Sequence, residues 1–183
     1  MIPTREQCLK LFDRFNLPSQ KRIHVEEVAK LAMYMANKLK IKNEKCKINT
    51  NLIEAAALLH DIDKNIKRRE GERHPDTAVR ILNELGFTEV AEVVRHHSLH
   101  AILNPELTPK TWEEKIVYLA DKMTKYEIIG VEHRFKLWYG EHLPPPAVAE
   151  LNSALPKVKE LEKEIFTACG ITFADIQTDL ALV

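Results

Sequence analysis

The sequence predicts an all-α protein, on three observations. Apolar residues recur three, four and seven positions apart along nearly every segment, the spacing of a helix with one buried face. Strand-like alternation is scarce, and no internal repeat or low-complexity stretch breaks the pattern. Segment ends carry capping residues: Ser19, Asn51, Thr88 and Thr111 at starts, Gly86 and Gly170 at stops. A chain of 183 residues suffices for one domain, read here as 1–183 with a core over about 20–140 and a C-terminal helical extension over about 144–183.

The first helix is expected over Thr4 to Phe15, with Leu9, Leu11, Phe12 and Phe15 as packing residues and Pro18 beyond its end. A second runs from Ser19 to about Lys40 with Ile23, Val28, Leu31, Ala32 and Met35 inside. His24 precedes Val28, Leu31 and Met35 by four, seven and eleven residues, so it points inward with them. After a lysine-rich connection over 41–50, Leu52 to Leu59 leaves almost no polar face, so this helix is buried all round and ends in His60-Asp61. The connection that follows is basic, with Lys64, Lys67, Arg68, Arg69 and Arg73.

His74-Pro75 opens a further helix that stops at Gly86. Another follows Thr88, and its inner face of Val90, Val93 and Val94 leads to His97. His96 is turned about 100° away and belongs to the rim. Thr111 with Glu114 forms a capping box for a helix whose apolar face, marked by Val117 and Tyr118, carries Asp121. Pro144-Pro145-Pro146 opens a long amphipathic helix to about Ala168. Its apolar face (Leu151, Leu155, Val158, Leu161, Ile165, Phe166) packs on the domain or on a partner subunit, which makes a homodimer one expectation. Pro156 is placed to kink it. A short helix over 171–180 closes the chain.

Composition narrows the function classes. Lysine plus arginine and aspartate plus glutamate both number 27, so there is no net field to gather nucleic acid or an anionic membrane. No apolar run is long enough to cross a bilayer and no signal core follows the first residues, so a cytoplasmic address is expected. Cys8, Cys46 and Cys169 are odd in number, far apart and outside any Cys-x-x-Cys pattern, and are read as reduced and buried.

The chemistry lies in the inward polar residues. His24, His60 with Asp61, His74, His97 and Asp121 each sit on an apolar face, where an unpaired charge or imidazole is costly. Separate core hydrogen bonds would need five independent exceptions; one shared metal centre accounts for all of them. Mixed imidazole and carboxylate donors favour iron or manganese, with zinc, cobalt and nickel also compatible and calcium disfavoured.

This ordered set resembles the HD-domain metal-dependent phosphohydrolases. His24, the His60-Asp61 doublet and Asp121 match the family's His…His-Asp…Asp signature, and His74 and His97 match the extra histidines of its two-metal members. Within the family the pattern is most similar to the small bacterial hydrolases of symmetrical diadenosine tetraphosphate. The chain has His97-Ser98-Leu99-His100 where those show His-Thr-x-Gly, and Lys122-Met123-Thr124-Lys125-Tyr126 after the final aspartate.

The resemblance implies one metal on His24, His60, Asp61 and Asp121 and a second on Asp61, His74 and His97, with Asp61 bridging. It implies hydrolysis of a nucleotide or dinucleoside polyphosphate by a metal-activated hydroxide. Asp61 and Lys64 are the expected catalytic residues; Lys64, Arg68, Arg69, Arg73 and His96 are the expected substrate contacts. Two alternatives stand beside this: a di-iron oxygenase on the same fold, and a non-catalytic metal-stabilised nucleotide-sensing module.

Overall fold

The computed structural model describes residues 1–181. The elements are α1 (Arg5–Arg14), α2 (Ser19–Lys42), α3 (Thr50–Leu59), α4 (Asp76–Glu84), α5 (Thr88–Arg95), a 3-10 turn (Leu99–Leu103), α6 (Trp112–Met123), α7 (Val131–Tyr139), α8 (Pro145–Cys169) and α9 (Phe173–Ala181). The fold is all-α: among the described residues there is no strand, only an isolated bridge between Thr124 and Ile128. No helix is long and apolar enough to cross a membrane.

The long α2 is the spine, packing on α3, α6 and α8, while α3 also meets α1, α5 and α6. This follows from α3's composition. Ile53, Ala55, Ala56, Ala57, Leu58 and Leu59 are all buried, and the alanines let neighbouring backbones approach. The apolar face of α8 packs inward too: Leu151, Ala154, Val158, Leu161 and Ile165 are buried, and α8 touches α2, α6, α7 and the 3-10 turn. Pro156 leaves α8 continuous from Pro145 to Cys169, and Gly170 ends it in the left-handed conformation at φ 66°.

Three details differ from the sequence reading. Asn49, rather than Asn51, caps α3 by accepting from the Leu52 N–H. Ser19 and Thr88 lie inside their helices, behind Pro18 and Phe87, neither of which offers a side-chain cap. Helix α7 was not expected, because only Val131 and Phe135 are buried on an otherwise polar segment. The Thr4–Gln7 and Thr111–Glu114 capping boxes fix the starts of α1 and α6.

The site residues occupy two kinds of position. His24 and Asp121 lie within α2 and α6, held in register by their helices. The others follow or precede helices. His60 is the C-cap of α3, and the backbone then tightens into turns, with Lys64 N–H donating to Asp61 O and Ile66 N–H to Asp63 O. His97 follows α5 and its C-cap His96; His74 precedes α4 and Pro75.

Candidate metal centre

Three of the four clustered histidines have their proton position fixed by main chain. Nδ1 of His24 donates to Lys125 O at 2.8 Å, Nδ1 of His60 to Ala57 O at 2.8 Å and Nδ1 of His97 to Val94 O at 2.6 Å. A carbonyl oxygen can only accept, so each Nδ1 carries the hydrogen, and in the neutral ring Nε2 presents a lone pair. The fourth ring, His74, has Nδ1 3.4 Å from Asp63 Oδ2.

These Nε2 atoms converge. His24 and His60 bring theirs to 3.3 Å, His97 and His74 to 2.9 Å. Two lone pairs at such distances repel unless a cation lies against both. The carboxylates complete the arrangement. Asp121 Oδ1 is 3.1 Å from His24 Nε2 and 3.6 Å from His60 Nε2. Asp61 Oδ1 is 3.5 Å from His74 Nε2 and 3.9 Å from the Nε2 atoms of His60 and His97, while Oδ2 is 4.0 Å from His24 Nε2. Asp61 therefore touches both ends of the cluster through different oxygens. Neighbouring ligands of an ion held by bonds of about 2.1 Å stand roughly 3 Å apart when their bonds meet at right angles, so the donor spacing suits divalent metal.

Charge states point the same way. Burial would raise the Asp61 carboxyl, but His60, Lys64 and Lys21 hold it well below the usual carboxylate range. Burial acts likewise on Asp121, and Lys122 with His24 and His60 outweighs it. His97 is held well below its ordinary value by burial and by the neighbouring His60 and His74. His60 is the exception: burial lowers it, yet Asp61 and Asp121 bring it above its ordinary value, as a histidine asked to stand in for the missing positive charge. Ionised carboxylates beside a neutral imidazole form a donor set fit for a transition metal.

Four cations surround the cluster. Lys64 Nζ lies 3.1 Å from Asp61 Oδ1 and 3.4 Å from each nitrogen of His74. Lys21 Nζ lies 3.0 Å from Asp61 Oδ2. Lys122, buried, bonds Asp121 and donates to His97 O at 2.6 Å. Arg134 stacks on Trp138, its guanidinium 4.2 Å from the ring centroid. Burial lowers the pKa of Arg134 against the pull of Asp121, Glu141 and Asp61, and its buried Nε has no hydrogen-bond partner among the described residues.

The structure thus brings together His24, His60, Asp61, His74, His97, Asp121 and Lys64. It places Arg68 and Arg73 beside His74, on the wall of an adjoining cavity. Two expected substrate contacts lie elsewhere. Arg69 is exposed and pairs with Glu84 at 3.2 Å, away from the cluster. His96 is buried against the 104–109 connection, with Nδ1 donating to Leu107 O at 2.7 Å and Nε2 3.2 Å from Glu92. Lys21, Asp63, Lys122 and Arg134 were not singled out from sequence. Lys21 carried a usable signal, standing three residues before His24 on the same face of its helix; Arg134 carried none.

A family model for the HD domain matches residues 22–126, more than half of the chain and all six candidate ligands. The chain belongs to the HD-domain family. This HD domain is 27% identical over 191 residues to a tRNA (cytidine(56)-2'-O)-methyltransferase of Picrophilus torridus, covering 98% of the chain and 51% of that protein. It is 32% identical over 145 residues to an uncharacterized protein of Methanocaldococcus jannaschii, 70% of the chain and 83% of that protein. A tRNA (cytidine(56)-2'-O)-methyltransferase of Thermoplasma volcanium is 29% identical over 134 residues, 67% of the chain and 37% of that protein. The chain therefore spans about half or less of the length of the two methyltransferases. No solved structure matches.

Proposed function

We propose that this HD domain is a metal-dependent phosphohydrolase acting on a nucleotide or dinucleoside polyphosphate. The observation that carries the reading is the convergence of four histidine Nε2 atoms, three with Nδ1 committed to main chain, on two ionised aspartates. His24, His60, Asp61 and Asp121 would hold one ion, and Asp61, His74 and His97 a second; iron or manganese suits this donor set best. Such ions supply Lewis acidity, lowering the pKa of water and polarising a phosphoryl oxygen.

The chain's own residues do the rest. Backbone acceptors behind His24, His60 and His97 aim the rings and raise their basicity. Lys122 locks Asp121 from behind and ties it to the His97 backbone. Lys21 and Lys64 lie on the two oxygens of Asp61. Once metal neutralises that carboxylate, both ammonium groups are available to phosphate oxygens, and Lys64, beside the partly open His74, is placed to stabilise the leaving oxygen. Arg134 adds a cation with no carboxylate of its own.

The names of two relatives favour a second reading, in which the phosphate belongs to RNA. Zero net charge argues against a broad polynucleotide surface, so such a substrate would enter by an end or a flipped nucleotide. Protein loaded separately with iron(II), manganese, cobalt or nickel, and offered mononucleotides, dinucleoside polyphosphates and short RNA, separates the readings. Symmetric release of diphosphates from diadenosine tetraphosphate would select the dinucleotide branch, and inorganic phosphate from mononucleotides the nucleotidase branch. Cleavage of RNA alone would select the second reading. Oxygen consumption with an organic substrate would point to the oxygenase, and nucleotide binding with no turnover under any metal to a sensing module.

A further inference from the structure

Next to the metal centre lies a cavity of about 610 Å³ that shares His74 with it. Arg68 and Arg73 of the basic connection form one part of the wall, His100 and Asn104 a second, and Glu150 of α8 a third. Glu150 lies outside the 22–126 stretch that defines the family, so this wall is a property of the chain's C-terminal helix.

The charges in this cavity are unspent. Among the described residues neither the side chains of Arg68 and Arg73 nor that of Glu150 makes an ion pair, although all three line the same space. Their neighbours behave otherwise: Arg69 pairs with Glu84, and Arg80 with Glu72 and Glu84. A cavity of similar size, about 640 Å³, between α7, α8 and α9 makes the same contrast. There Lys159 is bonded to both Glu132 and Glu162, so its charges answer one another. Only the cavity beside His74 holds cations and a carboxylate apart.

That lining specifies a ligand. Two arginines next to a phosphate-processing centre call for a phosphate. A carboxylate in the same cavity would repel a second phosphate and accepts only from donors, for which a vicinal pair of hydroxyls is the closest match. Asn104 has its carbonyl oxygen taken by the Glu106 N–H at 2.9 Å, leaving its amide N–H groups to donate to a sugar oxygen. No Phe, Tyr or Trp lines the space, so it offers no aromatic platform for stacking a base. We propose that this cavity binds the hydroxyl-bearing sugar of a sugar phosphate, with Arg68 and Arg73 on the phosphate and Glu150 accepting from the hydroxyl pair. The shared chemistry is a ribose phosphate, from a ribonucleotide or from a free pentose phosphate. The placing of phosphate rests on the phosphohydrolase reading; the sugar preference is tested without it.

The test is calorimetric titration of the full chain, stripped of metal, with AMP, dAMP, ribose 5-phosphate and 2-deoxyribose 5-phosphate. Losing one hydroxyl should weaken binding about tenfold, the value of a hydrogen bond to a charged acceptor. Glu150→Gln and Glu150→Ala should both bring the ribose and deoxyribose ligands to within about threefold of each other. Arg73→Gln should weaken all four about tenfold without changing their ratio. Tighter binding of AMP than of ribose 5-phosphate assigns the sugar to a nucleotide, and equal binding assigns it to a free pentose phosphate; either keeps the proposal. Equal affinity for ribose and deoxyribose in the wild type, a preference that survives in a correctly folded Glu150→Gln, or no binding of any of the four overturns it. A chain that prefers ribose but hydrolyses nothing would lose the phosphohydrolase reading alone; one that hydrolyses phosphate esters without that preference would lose the sugar site alone.

Discussion

The two ends of the histidine cluster are built differently. At the α2 and α6 end, His24 and His60 are buried, each with Nδ1 committed to a main-chain carbonyl, and Asp121 is backed by buried Lys122. At the other end the His74 side chain is 23% exposed, faces Asp63 and Lys64 rather than main chain, and opens onto the sugar-phosphate cavity. Asp61 joins the two with one oxygen toward each. A dry, rigid end holds its ligands in place, whereas a wetter end with side-chain partners can exchange them, so turnover belongs at His74 and retention at His24.

The largest effect should come from breaking the joint. Asp61→Ala is expected to lower phosphate-ester hydrolysis at least about a thousandfold while far-ultraviolet circular dichroism stays unchanged; wild-type turnover would remove the shared-carboxylate arrangement. Lys64→Ala, at the open end, should lower kcat about tenfold to a hundredfold with bound metal unchanged by elemental analysis. A fall in metal content instead would make Lys64 a support for the ligands rather than a substrate contact. Saturating the stripped chain with manganese or iron(II) at about a hundred times Kd should stabilise it by about 2.7 kcal/mol, seen as a rise in melting temperature of several degrees. His24→Ala should lose most of that rise and His74→Ala less of it. The smallest effect belongs to Arg69→Ala, expected to keep kcat/KM within about twofold because its guanidinium is spent on Glu84.

What could be read from sequence follows from where periodicity applies. His24 and Asp121 sit inside helices, so the positions of Val28, Leu31, Val117 and Tyr118 fixed which way they point. The apolar run of α3 marked His60 and Asp61 as buried before any contact was known. Irregular segments gave no such guide. Arg68, Arg69 and Arg73 look alike in a basic stretch without a repeat, yet two line a cavity and one pairs outward. His96 and His97 are adjacent and both buried, and only the fold shows that one answers Leu107 and the other joins the cluster. Glu150 was illegible for a different reason: its meaning depends on α8 crossing the 3-10 turn, a contact between distant parts of the chain.

The most direct measurement is the number of ions bound per chain, by elemental analysis after loading with manganese or iron(II). Two ions in the wild type and one in His74→Ala would support a joined centre with a retentive and an exchanging end. No bound ion in the wild type, or two retained in both His24→Ala and His74→Ala, would contradict it.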